Sequence, residues 1–419
     1  MSEFHYKDGI LHAEDVNLAE LAKTEETPLY VYSTAHLKKQ ANALHSALTE
    51  QLKTGQDFLI CFACKSNSNL AVLSLLKDEG LGCDIVTGGE LVRAIKAGVP
   101  ADKIVFSGVG KTHEDIRQAL KHKILQINVE SEPELDRIAK IAEELGVTAP
   151  VALRFNPDVD AKTHAKITTG KSENKFGLIK EHLIALYKKG SAQSSIDMKG
   201  ITTHIGSQLT DVSPFQHAFL KVKDLVKDLR DMGLKVETID IGGGLGITYT
   251  DETPPDLDSY ARFVKDIIEP LDVKIILEPG RFISGNAGVL ISKVEYIKHG
   301  ENRTYMILDA GMNDLARPSL YDAYHPVIPV DENIAGDTVT YDIVGPVCET
   351  GDTFGKAIDL PELKEGDFIA MTSSGGYGYV MASNYNTRPL PAEILVNGGR
   401  HVTVKKRQTY DEILSAEIL

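Results

Sequence analysis

Four groups of chemically capable residues sit at the ends of short apolar runs in this chain. Lys65 follows the run 58–64 and His204 follows 201–203. Gly242-Gly-Gly-Leu-Gly246 follows 236–241, and Glu278-Pro-Gly-Arg281 follows 273–277. A lysine amine, partly desolvated, has a depressed pKa and forms an imine with an aldehyde. Glycines let backbone N–H groups close on an anion at a helix start. A buried carboxylate keeps a facing pyridine nitrogen protonated, so that the ring takes up electrons. Each residue also has a plain reading: Lys65 as a solvated loop lysine, the triglycine as a tight turn, Glu278 as a salt-bridge partner of Arg281, His204 as a core residue. Their common placement argues for the chemistry.

The elements that must position them alternate regularly. Strands are expected at 58–63, 82–86, 103–107, 125–129, 151–156, 198–204, 236–241 and 273–277. Helical patterns fall at 69–79, 90–97, 113–121, 132–145, 180–189, 214–231 and 257–269. Ser131-Glu-Pro-Glu134 and Ser213-Pro214 read as helix starts. Gly80, Gly98, Gly146, Gly190 and Gly233 read as helix ends. Eight strands alternating with helices predict an α/β fold, a closed TIM-like (β/α)8 barrel with its reactive residues at one end. Past residue 282 the character becomes β-rich, with strands expected at 289–297, 303–308, 338–344, 368–371 and 401–405. This part reads as a C-terminal β domain, a barrel or sandwich, to which the N-terminal run Leu29-Tyr-Val-Tyr32 adds strands. The expected division is residues 1–33 as N-terminal strands, 34–282 as the barrel and 283–419 as the β domain. A chain of 419 residues is long enough for two domains.

The formal net charge of −15 argues against nucleic acid or an anionic membrane as the main partner. No apolar run approaches the ~20 residues that span a bilayer, and the first residues carry no signal-peptide pattern. Cys61, Cys64, Cys83 and Cys348 form no framework, which suits a reducing cytoplasm. Cys61 and Cys64 stand three apart on a strand and so face opposite ways, which disfavours a shared metal or disulfide; no metal is expected. Arg281, Arg317 and Tyr321 are suited to gripping carboxylates. Cys348-Glu349 offers a proton donor beside an acid.

Taken together, these segments resemble the fold-type III pyridoxal phosphate (PLP) decarboxylases. The resemblance is carried by Phe62-Ala-Cys-Lys65-Ser-Asn67, Gly82-Cys-Asp-Ile-Val-Thr-Gly-Gly-Glu-Leu91, Leu153-Arg-Phe-Asn-Pro157 and Lys175-Phe-Gly177. It continues through His204-Ile-Gly-Ser-Gln208, Asp240-Ile-Gly-Gly-Gly-Leu-Gly246, Glu278-Pro-Gly-Arg281 and Asp309 to Tyr321, and then Gly345-Pro-Val-Cys348-Glu349-Thr-Gly-Asp352 and Gly376-Tyr-Gly-Tyr379. It covers roughly residues 25 to 400. Phe62 stands where many relatives have Tyr, and Gly376 where Ala is common.

The resemblance implies PLP as cofactor, carried by Lys65 as an imine. It implies His204 stacked on the ring and Glu278 paired with its nitrogen. Ser207, Gly243 and Gly244, helped by the segment Glu278, Pro279, Gly280 and Arg281, would hold the phosphate. Arg281, Arg317 and Tyr321 would hold the distal end of the substrate, Glu349 its ammonium, and Tyr377 both cofactor and substrate. Cys348 would donate a proton, with Cys348 and Glu349 reaching the site from a partner subunit of a homodimer. The implied reaction is cleavage of meso-2,6-diaminopimelate to L-lysine and CO2, the last step of lysine biosynthesis. The nearest rival is a decarboxylase of the same fold acting on ornithine, arginine or carboxynorspermidine; Arg281 and Arg317 favour a substrate with a second carboxylate at its far end, and ornithine would leave them without a partner, which is costly in a closed site. A non-catalytic regulatory homologue should lack the imine lysine or the proton donor, and both are present. A racemase would need two opposed bases.

Overall fold

The computed structural model describes residues 3–160 and 175–419. Residues 161–174, within the span expected to form the barrel, and the first two residues of the chain lie outside the described residues. The chain folds into two compact units. One comprises Gln40–Ile247 and Thr253–Phe282, the other Met1–Lys39, Thr248–Glu252 and Ile283–Leu419.

In the first unit eight parallel strands close into a barrel. They are β1 (Phe58–Ala63), β2 (Gly82–Ile85), β3 (Ile104–Phe106), β4 (Gln126–Val129), β5 (Ala149–Phe155), β6 (Ile196–Thr203), β7 (Thr238–Asp240) and β8 (Lys274–Leu277). All eight expected strands are present, and the barrel closes where Ile276 of β8 registers with Leu59 of β1. Side chains two apart on a strand share a face. Leu59 and Cys61 of β1, Val105 of β3 and Ile276 of β8 form one apolar cluster, so this face lines the lumen. Continuing by twos along it leads from Cys61 to Ala63, after which a helical turn carries Lys65, and from Val105 to Ser107 and Ile276 to Glu278 just past their strands. The lumen therefore changes from apolar to polar toward the C-terminal ends of the strands.

The helices begin at identifiable caps. The Asn69 side chain accepts from Ala71 N, that of Thr87 from Glu90 N, and Thr112 forms a reciprocal capping box with Asp115. Two expected starts differ. Ser131 makes no side-chain cap; instead Glu134 accepts from Glu130 N at 2.7 Å. Ser213 lies inside its helix, and Asp211 accepts from both its N–H and its hydroxyl. Gly190 lies in the last turn of its helix, Lys180–Ser191, where a Cβ would sit 2.6 Å from Met198 Sδ, so this end packs closely on β6. The segment expected as one helix over 257–269 is α-helical over Leu257–Phe263, then runs through a π turn, Val264–Ile268.

The second unit is built on a mixed sheet. Its strand order is Thr353–Pro361, Thr338–Val344, Thr304–Leu308, Gly288–His299, Leu29–Ser33, Ala392–Asn397 and Arg400–Lys405. The N-terminal Leu29–Ser33 is central, antiparallel to Gly288–His299 and parallel to Ala392–Asn397. It brings Leu29 and Val31 into a core with Val289, Ile291, Ile394 and Val396.

Candidate active site

Lys65 sits in a single helical turn, Cys64–Ser66, directly after β1. Ser66 Oγ donates to Ala63 O at 2.7 Å, which fixes the turn. Lys65 Nζ lies 2.5 Å from Asp84 Oδ2, and the Asp84 side chain is wholly buried. Among the described residues, the other oxygen of Asp84 has no hydrogen-bond partner.

Across the lumen, polar side chains form one network. Asn128 Nδ2 donates to Ser107 Oγ at 3.0 Å, to Asp240 Oδ2 at 3.1 Å and to Glu278 Oε1 at 3.4 Å. Ser107 Oγ donates to Glu278 Oε1 at 2.9 Å. Below, Gln126 Nε2 donates to Asn128 Oδ1, and Thr238 Oγ1 donates to Gln126 Oε1. Burial, then the neighbouring Asp240 and Asp84, pushes the Glu278 carboxyl well above the usual range. Burial likewise pushes Asp240 up to about 6. Glu278 and Asp240 are hydrogen-bonded to each other, so this buried pair shares a proton.

The glycine run closes against the loop after β6. Gly243 N donates to His204 Nδ1 at 3.3 Å, so that nitrogen is the acceptor. Burial, then the cations Arg154 and Lys65, hold His204 well below its ordinary value; it is the neutral Nε2–H tautomer. A Cβ on Gly243 would lie 2.2 Å from Glu278 O, and Gly244, at φ +114°, approaches Gly206 O. Arg281 Nε and Nη2 both donate to Ser207 Oγ at 3.2 Å. Pro279 O accepts from Ala63 N at 3.1 Å, and Gly280 packs on Ala63 and Ser66. Thus Lys65, His204, Ser207, Gly243, Gly244, Glu278, Pro279, Gly280 and Arg281 all lie at the C-terminal end of the barrel strands. Arg154, quoted above only within a motif, pairs with Glu130 at 2.7 Å, and Glu130 also accepts from Gly177 N. Asp84, Ser107, Asn128, Arg154 and Asp240 had no role assigned from sequence; a polar residue two positions away marks Asn128 (Gln126), Arg154 (Asn156) and Asp240 (Thr238), whereas Asp84 and Ser107 have only Gly or Val there. Cys61 packs in the lumen, whereas Cys64 is hydrogen-bonded to Cys83, and burial holds the Cys61 thiol protonated.

The remaining candidates belong to the β-rich unit. Arg317, buried at the start of the short helix Arg317–Tyr321, donates to Tyr249 Oη at 3.0 Å and lies 2.8 Å from His325 Nε2. Tyr321 ends that helix, and Ser319 Oγ ties it to Gly351 O. Cys348 and Glu349 are exposed on a loop braced by Asp352, whose carboxylate accepts from Val347 N and Met312 N. Asn386 Oδ1 accepts from Cys348 N at 3.1 Å, and Tyr385 Oη donates to Glu349 Oε2 at 2.9 Å. Tyr377 holds a left-handed φ of +58° between close-packed glycines, a strained placement typical of functional sites.

Residues 34–285 match the family described as pyridoxal-dependent decarboxylase, pyridoxal binding domain. The chain belongs to this family. It is a PLP-dependent decarboxylase. It is 48% identical over 419 residues to the diaminopimelate decarboxylase of Vibrio cholerae, covering 100% of this chain and 99% of that protein. It is 46% identical over 419 residues to that of Pseudomonas aeruginosa, with the same coverage. The crystal structure of diaminopimelate decarboxylase from Helicobacter pylori complexed with L-lysine superposes with a TM-score of 0.90 at 41% identity, covering 95% of this chain and 98% of that one.

The barrel end of this decarboxylase fits the cofactor. Glycine backbone that admits no Cβ, with Ser207 and Arg281 beside it, suits a phosphate. The buried oxygen of Asp84, unpartnered among the described residues, and the proton-sharing pair of Glu278 and Asp240 suit a cationic ring and its imine-forming lysine.

Proposed function

We propose that this protein cleaves meso-2,6-diaminopimelate to L-lysine and CO2, as the last step of lysine biosynthesis. The convergence of Lys65, the proton-sharing carboxyl Glu278 and the glycine cradle at one end of the barrel carries the chemistry. The substrate follows from the names of full-length relatives and from the L-lysine complex of the Helicobacter protein.

In this reading Lys65 Nζ, beside the buried Asp84 carboxylate, would carry PLP. His204, a neutral imidazole, and Glu278 would hold its ring, and Ser207, Gly243, Gly244, Pro279, Gly280 and Arg281 would hold its phosphate. The bound cofactor supplies an electron sink for the pair left on carbon when CO2 departs. Arg281, Arg317 and Tyr321 bind the distal carboxylate, Glu349 the distal ammonium, and Tyr377 cofactor and substrate. Cys348 Sγ gives its proton to the carbon that lost CO2 and recovers one from water. For domain organisation we propose 34–282 as the cofactor-binding barrel and 1–33 with 283–419 as the β domain.

The protein is proposed to act in the cytoplasm as a homodimer whose partner supplies Cys348 and Glu349, with no nucleic-acid or membrane partner. Among the described residues no helix is long and apolar enough to cross a membrane. The deciding experiment is CO2 release by the PLP-loaded protein from meso-diaminopimelate beside L-ornithine, L-arginine and L-lysine. Release from diaminopimelate alone, with lysine formed, is expected. Release from ornithine or arginine would overturn the substrate while keeping the chemistry.

A further inference from the structure

We propose that His325 is a positioning residue for the Arg317 guanidinium and thereby for the carboxylate that selects the substrate. This rests on the reading of Arg317 as a substrate-binding arginine. His325 is 1% exposed. Its Nδ1 lies 2.9 Å from the carbonyl of Thr372 and 3.4 Å from Ser374 Oγ. Ser374 Oγ itself donates to the carbonyls of Met371 and Thr372. A carbonyl accepts only, so Nδ1 carries the proton and Nε2 the lone pair. That lone pair points at Arg317 Nη1, 2.8 Å away, and a guanidinium donates only. The tautomer is fixed at both ends.

Tyr249 completes the brace. Its hydroxyl accepts from the same Nη1 at 3.0 Å, and its ring lies 5.1 Å from the guanidinium carbon. The ring meets the His325 imidazole edge-on at 5.6 Å and 84°. These contacts set the plane of the guanidinium. A carboxylate in place of His325 would set it too, but would compete with an incoming carboxylate for the charge. A neutral imidazole orients the cation without neutralising it. A planar fork set in advance loses less freedom when it grips a planar carboxylate. An ordinary core histidine would need only its Thr372 bond.

Two substitutions separate the two ends of the ring. Asn can keep a donor near Nδ1 for Thr372 but has nothing at Nε2. Gln can reach the Nε2 position with its carbonyl oxygen and so keep an acceptor for Arg317. With the PLP-loaded protein, H325N is expected to raise KM for meso-diaminopimelate about tenfold with kcat within about twofold, and H325Q to raise it by less than about threefold. The Kd for L-lysine, which keeps the distal amino-acid end, should rise in parallel, read by calorimetry. Equal effects of H325N and H325Q on KM, or a lowered melting temperature with KM and Kd unchanged, would overturn the proposal. Y249F, which deletes one hydroxyl, gives the same reading if H325N fails to fold: a raised KM supports the brace and an unchanged one removes it. R317M separates the layers. If it raises KM while H325N does not, only the positioning role falls; if it leaves KM unchanged, the substrate-binding role of Arg317 falls with it.

Discussion

Lys65 and Asp84 form an ion pair of 2.5 Å across neighbouring strands, with the carboxylate fully buried and the amine about one-third exposed. Ala63 and Asp84 are register partners between β1 and β2, so the lysine two residues on leans over the aspartate. The geometry places a fixed negative charge beside the one amine proposed to carry the cofactor.

The two halves of this pair should respond unequally to removal. K65A leaves a buried carboxylate unpaired, with an expected loss of about 3 kcal/mol in apo-protein stability. D84N leaves an amine that water reaches, and the expected loss is about 1–2 kcal/mol. The double variant should be more stable than K65A alone, because the stranded charge is gone. Urea unfolding of the four apo proteins measures this; strict additivity would refute the coupling.

Glu278 and Asp240 should impose a pH dependence on the cofactor-free protein. Both carboxyls are raised by burial, so the folded chain keeps protons that the unfolded chain releases. Their contribution is fully present below about pH 4 and is lost as pH rises through the folded values, near 6 for Asp240. E278Q removes one member and lets Asp240 ionise more easily. The wild-type minus E278Q stability difference should therefore become less favourable to wild type between pH 4 and 7, read from denaturant midpoints. A difference that stays flat would contradict a shared proton. E278Q should also lose most activity, since a neutral amide does not hold a protonated ring nitrogen.

The barrel was legible because its signals are local and repeated. Apolar runs of strand length, helix caps such as Thr112 and the period-2 face from Leu59 to Ala63 with Lys65 just beyond it all appear in the linear sequence. The lumen network was not legible: Asn128 and Asp240 look like isolated polar residues until closure of the sheet brings β4 and β7 opposite each other. Asp84 was hidden for the same reason. Thr353–Pro361 escaped notice because it alternates with exposed positions and breaks register near Ala357, which has a left-handed φ. The strand Ala392–Asn397 pairs with Leu29–Ser33 from the far end of the chain, a contact that no local pattern announces.

Gly243 should tolerate no side chain. A Cβ there would sit 2.2 Å from Glu278 O, a backbone atom that cannot swing aside. G243A is expected to destabilise the apo protein by about 2 kcal/mol or more and to weaken PLP retention, measured by absorbance after dialysis. Retention of the cofactor at the wild-type level would argue that the glycine loop does not hold its phosphate.

Cys348 and Glu349 are exposed on the single chain, although a proton donor for a carbanion works best where water is excluded. A second copy of the chain is the proposed cover, with each subunit lending its Cys348 loop to the other. C348A alone should lower kcat by about 10²-fold or more with a smaller change in KM, as removal of a general acid does. K65A alone should be inactive. Mixed after subunit exchange, the two variants make a hybrid dimer in which one site has both defects and the other neither. Random reassortment puts half the dimers in that form, so activity should return to roughly a quarter of wild type. Sites built within one subunit would leave every site in the mixture defective, and activity would stay at the level of the variants measured apart.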